Sequence, residues 1–178
     1  MKRVISALCI LALCIFLAAC GAGTPPPAPT EFSAKAQVLF GESQFAALVT
    51  QERPGALEVE FTAPETLRGM RFSLRGNHIT VHDGELQTQL PAAALPVSNF
   101  AVLLSGVLLR LAQPSPEGFT RIRGGGWTLS GTANSLQFQA VISSEGLLER
   151  VEVPAAGLEI YLGPVDTKQA SHETTHIL

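Results

Sequence analysis

The chain has 178 residues, with 12 Lys and Arg against 15 Asp and Glu, and 46% of its residues are hydrophobic. No basic stretch is dense enough to track a phosphate backbone, which argues against a nucleic acid partner, and no polybasic run is present for an anionic lipid surface. The three cysteines, Cys9, Cys14 and Cys20, all lie in the first 20 residues. That placement leaves the body of the chain without a disulfide framework or a thiolate metal site.

Lys2 and Arg3 precede an uncharged apolar run from Val4 to Ala19. The run is shorter than the roughly 20 residues of a membrane span and ends at small residues, the pattern of an export signal. Leu17-Ala18-Ala19-Cys20 resembles the lipobox of bacterial lipoprotein precursors. The resemblance implies cleavage between Ala19 and Cys20 and lipidation of Cys20. The membrane is then a partner through an N-terminal lipid anchor, several acyl chains giving stable attachment where one would not. The implied address is extracytoplasmic, lipid-anchored at the cell membrane or outer membrane. Loss of residues 1–19 removes two cations and leaves a net charge of −5.

Gly21 to Thr30 reads GAGTPPPAPT, uncharged and proline-rich. Such a segment is extended and semi-rigid, a spacer of about 3 Å per residue where it adopts the polyproline conformation. The expected organisation is a signal peptide at 1–19, a lipidated Cys and linker at 20–30, one β domain at 31–165 and a flexible tail at 166–178.

From Glu31 onward apolar and polar residues alternate. Phe32, Ala34, Ala36 and Val38 share one phase, as do Leu57, Val59 and Phe61, and then Phe72 and Leu74. Period two means one dry and one wet face. Further strands are expected over 44–50, 77–82, 85–90, 119–123, 127–131, 135–143, 147–153 and 158–162. They are separated by turn chemistry such as Arg53-Pro54-Gly55, Asp83-Gly84, Gly124-Gly125-Gly126 and Glu145-Gly146. Eleven or so short strands in near-continuous succession make the chain mainly β, an antiparallel meander.

Val97 to Gln113 breaks the period. Phe100, Leu103, Leu104, Val107, Leu108 and Leu111 recur at helical spacing, Ser98 or Asn99 can cap the start, and Pro114 and Pro116 prevent continuation. Val102 and Leu109 lie off the stripe, so two faces of this helix favour dry surroundings. Either it sinks into the open side of a curved sheet, or it is a lid whose second face meets a lipid or a protein.

Side chains that carry chemistry are not clustered. His172-Glu173-Thr174-Thr175-His176 matches the H-E-x-x-H zinc pattern, but the chain ends two residues later and threonine is a poor helix former. His78 and His82 on one strand face would sit about 13 Å apart, too far for one metal. Ser105 and Ser130 lack the G-x-S-x-G elbow, and the glycines at 124–126 lead into a strand rather than a phosphate-binding helix. No catalytic, metal or cofactor site is expected, and the chain is not read as an enzyme.

What remains is apolar shape: a large curved sheet closed by one very apolar helix. The stretch from Phe61-Thr62-Ala63-Pro64 through Gly69, the strand Arg71 to Leu74, Asp83-Gly84, and Leu95-Pro96-Val97-Ser98 leading to Leu103-Leu104-Ser105-Gly106 resembles the LolA and LolB family of lipoprotein carriers, the lipidated LolB branch above all. The resemblance implies a half-barrel of about 11 strands with a helical lid, and a lipid or lipoprotein cargo. Under it, Leu103, Leu104, Val107, Leu108 and Leu111 line the lid, and Val59, Phe61, Met70 and Phe72 contribute from the sheet. A different reading fits the same pattern: a structural or interaction lipoprotein whose barrel is filled by its own side chains. No exposed apolar loop tip stands out from the sequence.

Overall fold

The computed structural model describes residues 30–96, 99–113 and 118–164. Eleven strands form one antiparallel sheet. They are β1 (Phe32–Phe40), β2 (Ser43–Arg53), β3 (Ala56–Ala63), β4 (Arg71–Arg75), β5 (His78–Asp83), β6 (Leu86–Pro91), β7 (Phe119–Arg121), β8 (Trp127–Ala133), β9 (Leu136–Ile142), β10 (Leu148–Val153) and β11 (Leu158–Pro164). The alternation behaves as expected. On β1, Ala34, Ala36 and Val38 are buried while Ser33, Lys35 and Gln37 face water.

The spatial order is β6-β5-β4-β3-β2-β1-β11-β10-β9-β8-β7. The expected single meander is therefore two, β1–β6 and β7–β11, joined where the first strand pairs the last, from Ala34 opposite Pro164 to Phe40 opposite Leu158. Periodicity reports which face of a strand is dry and is silent about which distant strand it pairs with. Register shifts at Ala46/Ala47, Gln51/Arg53 and Leu148/Arg150 are the kind of irregularity that bends a strand, and the sheet is curved and open.

The two edge strands, β6 and β7, are the ones joined through the helix. Helix α1 (Phe100–Leu111) is shorter than the expected 97–113, and Asn99 is the residue that caps it. Its Oδ1 accepts from the amides of Ala101 at 3.1 Å and Val102 at 3.3 Å, satisfying two of the orphan donors of the first turn. Among the strands, α1 packs on β3, β4 and β8, and through Phe100 on Phe45 of β2, so it bridges both wings of the sheet.

The β7–β8 turn shows why glycine is needed there. Gly126 has φ +91°, and a Cβ on it would lie 2.7 Å from the Ile142 carbonyl oxygen, inside any tolerable contact.

Candidate functional site

Inward positions of the strands line the space that α1 enters. On β3 these are Val59 and Phe61, with Phe72 of β4 directly opposite Val59 in the register. Met70 reaches the same region from the loop between them, which is held by hydrogen bonds from the Phe61 amide to the Met70 carbonyl at 2.9 Å and from the Gly69 amide to the Phe61 carbonyl at 3.0 Å. Phe100, the first residue of α1, sits 5.1 Å from Phe45, 5.7 Å from Phe61 and 6.2 Å from Phe72 between ring centroids, each pair edge-on. Edge-to-face pairing of this kind adds a directional preference to apolar burial.

Along α1 the inward residues are closed off from water. Leu103, Leu104 and Val107 are 0% exposed, Leu108 2% and Leu111 3%. The other wing meets them with Leu129, Phe138, Ala140 and Ile142. All nine residues expected to form the apolar site join one cluster, Met70 and Phe72 at its partly buried margin. The sequence reading missed Phe45 and Phe100 as the centre of the aromatic group. It also missed the β8–β9 wing, although Leu129, Phe138 and Ala140 hold the inward phase of their strands.

The helix is tied to the sheet lightly. Asn134 Nδ2 donates to the Val102 carbonyl oxygen at 3.1 Å, while Arg110 donates to nearby Gln113. Among the described residues no ion pair links α1 to a strand. Val102 is half-buried and Leu109 is 46% exposed, so the second face of the helix is only partly dry.

Gln51 on β2 and Ser105 on α1 are buried polar residues, and the ion pairs between strands lie on the outward face. Arg75 pairs with Glu52 at 3.2 Å and Arg71 with Glu58 at 3.7 Å, Glu58 also accepting from Ser73 Oγ. Arg150 pairs with Glu152 and Glu159 and lies 5.1 Å over the Tyr161 ring. Tyr161 donates to Glu159 at 2.8 Å, and this bond, more than burial, pushes the phenol above its ordinary 10.0, against the pull of Arg150. His78 and His82 take the outward phase of β5, opposite Arg75 and Arg71. Among the described residues no three His, Cys, Asp or Glu are grouped to hold a metal ion, and no helix is long and apolar enough to cross a membrane. Ala19, Cys20, the linker as far as Pro29 and the His172–His176 pattern lie outside the described residues.

A groove of about 650 Å³ crosses the outward side of β1, β2 and β11, with Lys35, Gln37, Ala46, Leu48 and Tyr161 among its walls. Its sequence signal is Ala46 and Leu48 in the wet phase of β2, apolar residues where polar ones are expected.

No protein-family model and no curated protein matches the chain. Similar solved structures include an uncharacterised conserved protein from Thermus thermophilus, at 16% identity and TM-score 0.47, covering 75% of this chain and 76% of that one. A LolA superfamily protein from Nitrosomonas europaea gives 12% identity and TM-score 0.39, covering 72% of this chain and 64% of that one. LprF from Mycobacterium bovis gives 15% identity and TM-score 0.35, covering 76% of this chain and 87% of that one.

Proposed function

We propose that the protein is an envelope lipoprotein, anchored through Cys20 and spaced from the bilayer by residues 21–30, whose curved sheet takes a hydrophobic ligand on its inward face. The ligand class is an acyl chain, a lipid or a lipidated protein, and α1 is the element that gives way to it. The observation that carries this reading is the way α1 is held: its inward leucines and valine are buried in apolar contacts, and among the described residues one side-chain hydrogen bond, from Asn134 in the β8–β9 turn, fastens it to the sheet. Apolar contacts are non-directional, so another apolar body can replace them. The magnitudes are matched. Burying the five inward side chains from Leu103 to Leu111 contributes on the order of 10 kcal/mol, and an acyl chain of about 16 carbons contributes on the order of 12 kcal/mol.

One observation favours a second reading. The inward side chains of α1 are 0 to 3% exposed, a filled interior of the kind an interaction domain without a ligand would have. Native mass spectrometry of the full chain extracted from membranes, followed by solvent extraction, separates the two. The ligand reading expects a stoichiometric lipid or acylated peptide beyond the covalent anchor. A mass equal to polypeptide plus anchor, unchanged after incubation with lipids and lipopeptides, would leave the interaction domain.

A further inference from the structure

The register sorts every strand end to one of two rims. β1 begins opposite the end of β2 and the end of β11, with Phe32 against Gln51 and Ala34 against Pro164. Followed outward, the same rim carries the β2–β3 turn, the β4–β5 turn, the β7–β8 turn and the β9–β10 turn. The chain also enters at this rim: Gln51 Nε2 donates to the Thr30 carbonyl at 2.9 Å, so the segment leading back to Cys20 departs from here.

Three exposed apolar side chains gather on that rim. Leu147 is 53% exposed in the β9–β10 turn and Ile122 37% in the β7–β8 turn. These two turns are neighbours, a Cβ on Gly125 falling 3.4 Å from Ser144 Cβ. Leu109, 46% exposed, lies against the β2–β3 turn, 3.8 Å from where a Gly55 Cβ would be. Trp127, the only tryptophan, opens β8 at the same rim and is half-buried. Around them stand Arg53, Arg121 and Arg123, exposed and without an ion-pair partner among the described residues. The acids here are Glu52, engaged by Arg75, with Glu31, Glu145 and Glu149.

The opposite rim has the reverse character. Its most exposed apolar residue, Leu86, is flanked by Asp83 and Glu85, and Glu42 and Glu65 share that rim with Arg68, which Glu65 engages at 3.0 Å. Acids and arginines balance on the first rim, where Arg121 and Arg123 flank the apolar tip Ile122, whereas the second rim carries acids in excess and would be repelled by an anionic surface.

We propose that the rim bearing Ile122, Leu147, Leu109 and Trp127 is a membrane-docking surface that seats the body of the protein on an anionic bilayer, apolar tips in the interface and Arg53, Arg121 and Arg123 among the headgroups. No contiguous basic run encodes this surface; the fold assembles it from three separate turns and the last turns of α1. Aromatic and aliphatic tips ringed by arginine are the residue types that settle at the interfacial depth. The proposal rests on the anchored reading above, because docking brings the rim from which the linker departs down to the bilayer.

Trp127 reports on it directly. The full chain isolated from bacterial membranes is reconstituted into vesicles of phosphatidylglycerol and phosphatidylcholine carrying brominated acyl chains. Quenching of Trp127 fluorescence is expected, and it is lost in the double variant Ile122→Asp, Leu147→Asp and weakened in Arg121→Glu, Arg123→Glu. Both pairs are exposed, so cooperative unfolding should be retained, and Leu86→Asp on the other rim should quench as the unsubstituted chain does. Co-flotation with vesicles without quenching would overturn the docking surface while leaving the anchor intact. Equal flotation of Cys20→Ala and the unsubstituted chain would instead count against the anchor.

Discussion

Replacing Phe100 by alanine separates a helix that gives way from one that is permanent core. Phe100 is 6% exposed and meets three phenylalanine rings, one from each of β2, β3 and β4. Truncating a buried phenylalanine costs about 3–5 kcal/mol, the upper part of that range applying where ring pairs are lost as well. The loss falls on the docking of α1, since the sheet ladders make no use of this side chain. If a ligand enters only when α1 leaves, the competent state in Phe100→Ala is more populated by the same free energy. Its apparent affinity for a fatty acid or lipopeptide then rises by about a hundredfold or more, levelling off once the open form dominates. Denaturant unfolding gives the stability and fluorescence titration the affinity. A variant that loses about 3–5 kcal/mol with no gain in affinity would refute displacement and make α1 a core helix.

Further expectations are more local. Asn99→Ala removes the acceptor of two first-turn amides and should cost about 1 kcal/mol, with faster amide exchange confined to the start of α1. Gly126→Ala forces a left-handed φ on a residue with a Cβ and drives that Cβ onto the Ile142 carbonyl, so a loss above about 1 kcal/mol is expected by thermal unfolding. Tyr161 is the only tyrosine, so the ultraviolet absorbance of its phenolate can be titrated alone. Its folded pKa lies above the unfolded 10.0, so the bond to Glu159 supports the fold below that pH and is lost as pH rises through the folded value. Tyr161→Phe should show no such loss in alkali, and Glu159→Gln should bring the titration down.

Much of this architecture is written in local pattern. The inward phase of β1, β3 and β4 is visible as alternation, and the helical spacing from Phe100 to Leu111 identifies the one element that breaks it. The apolar cluster follows from those phases, which is why Val59, Phe61 and the α1 leucines come together as expected. What the pattern lacks is long-range assembly. Pairing of β1 with β11 depends on closure between chain ends, and Phe45, Phe61, Phe72 and Phe100 meet only because β2, β3 and β4 are neighbours. The rim of Ile122, Leu147 and Leu109 is hidden from local pattern for the same reason: each is a single apolar residue in its own segment, and only the strand register and the seating of α1 against the β2–β3 turn set them on one edge. Asn134 is a turn residue whose local pattern carries no sign that its amide reaches the Val102 carbonyl of the helix.

Hydrogen exchange of the full chain, with and without a lipopeptide, tests the displacement of α1 most directly. The account predicts that ligand deprotects the amides from Leu103 to Leu111 while β1, β2 and β11 keep their protection. Unchanged or increased protection along α1 at saturating lipopeptide would contradict it.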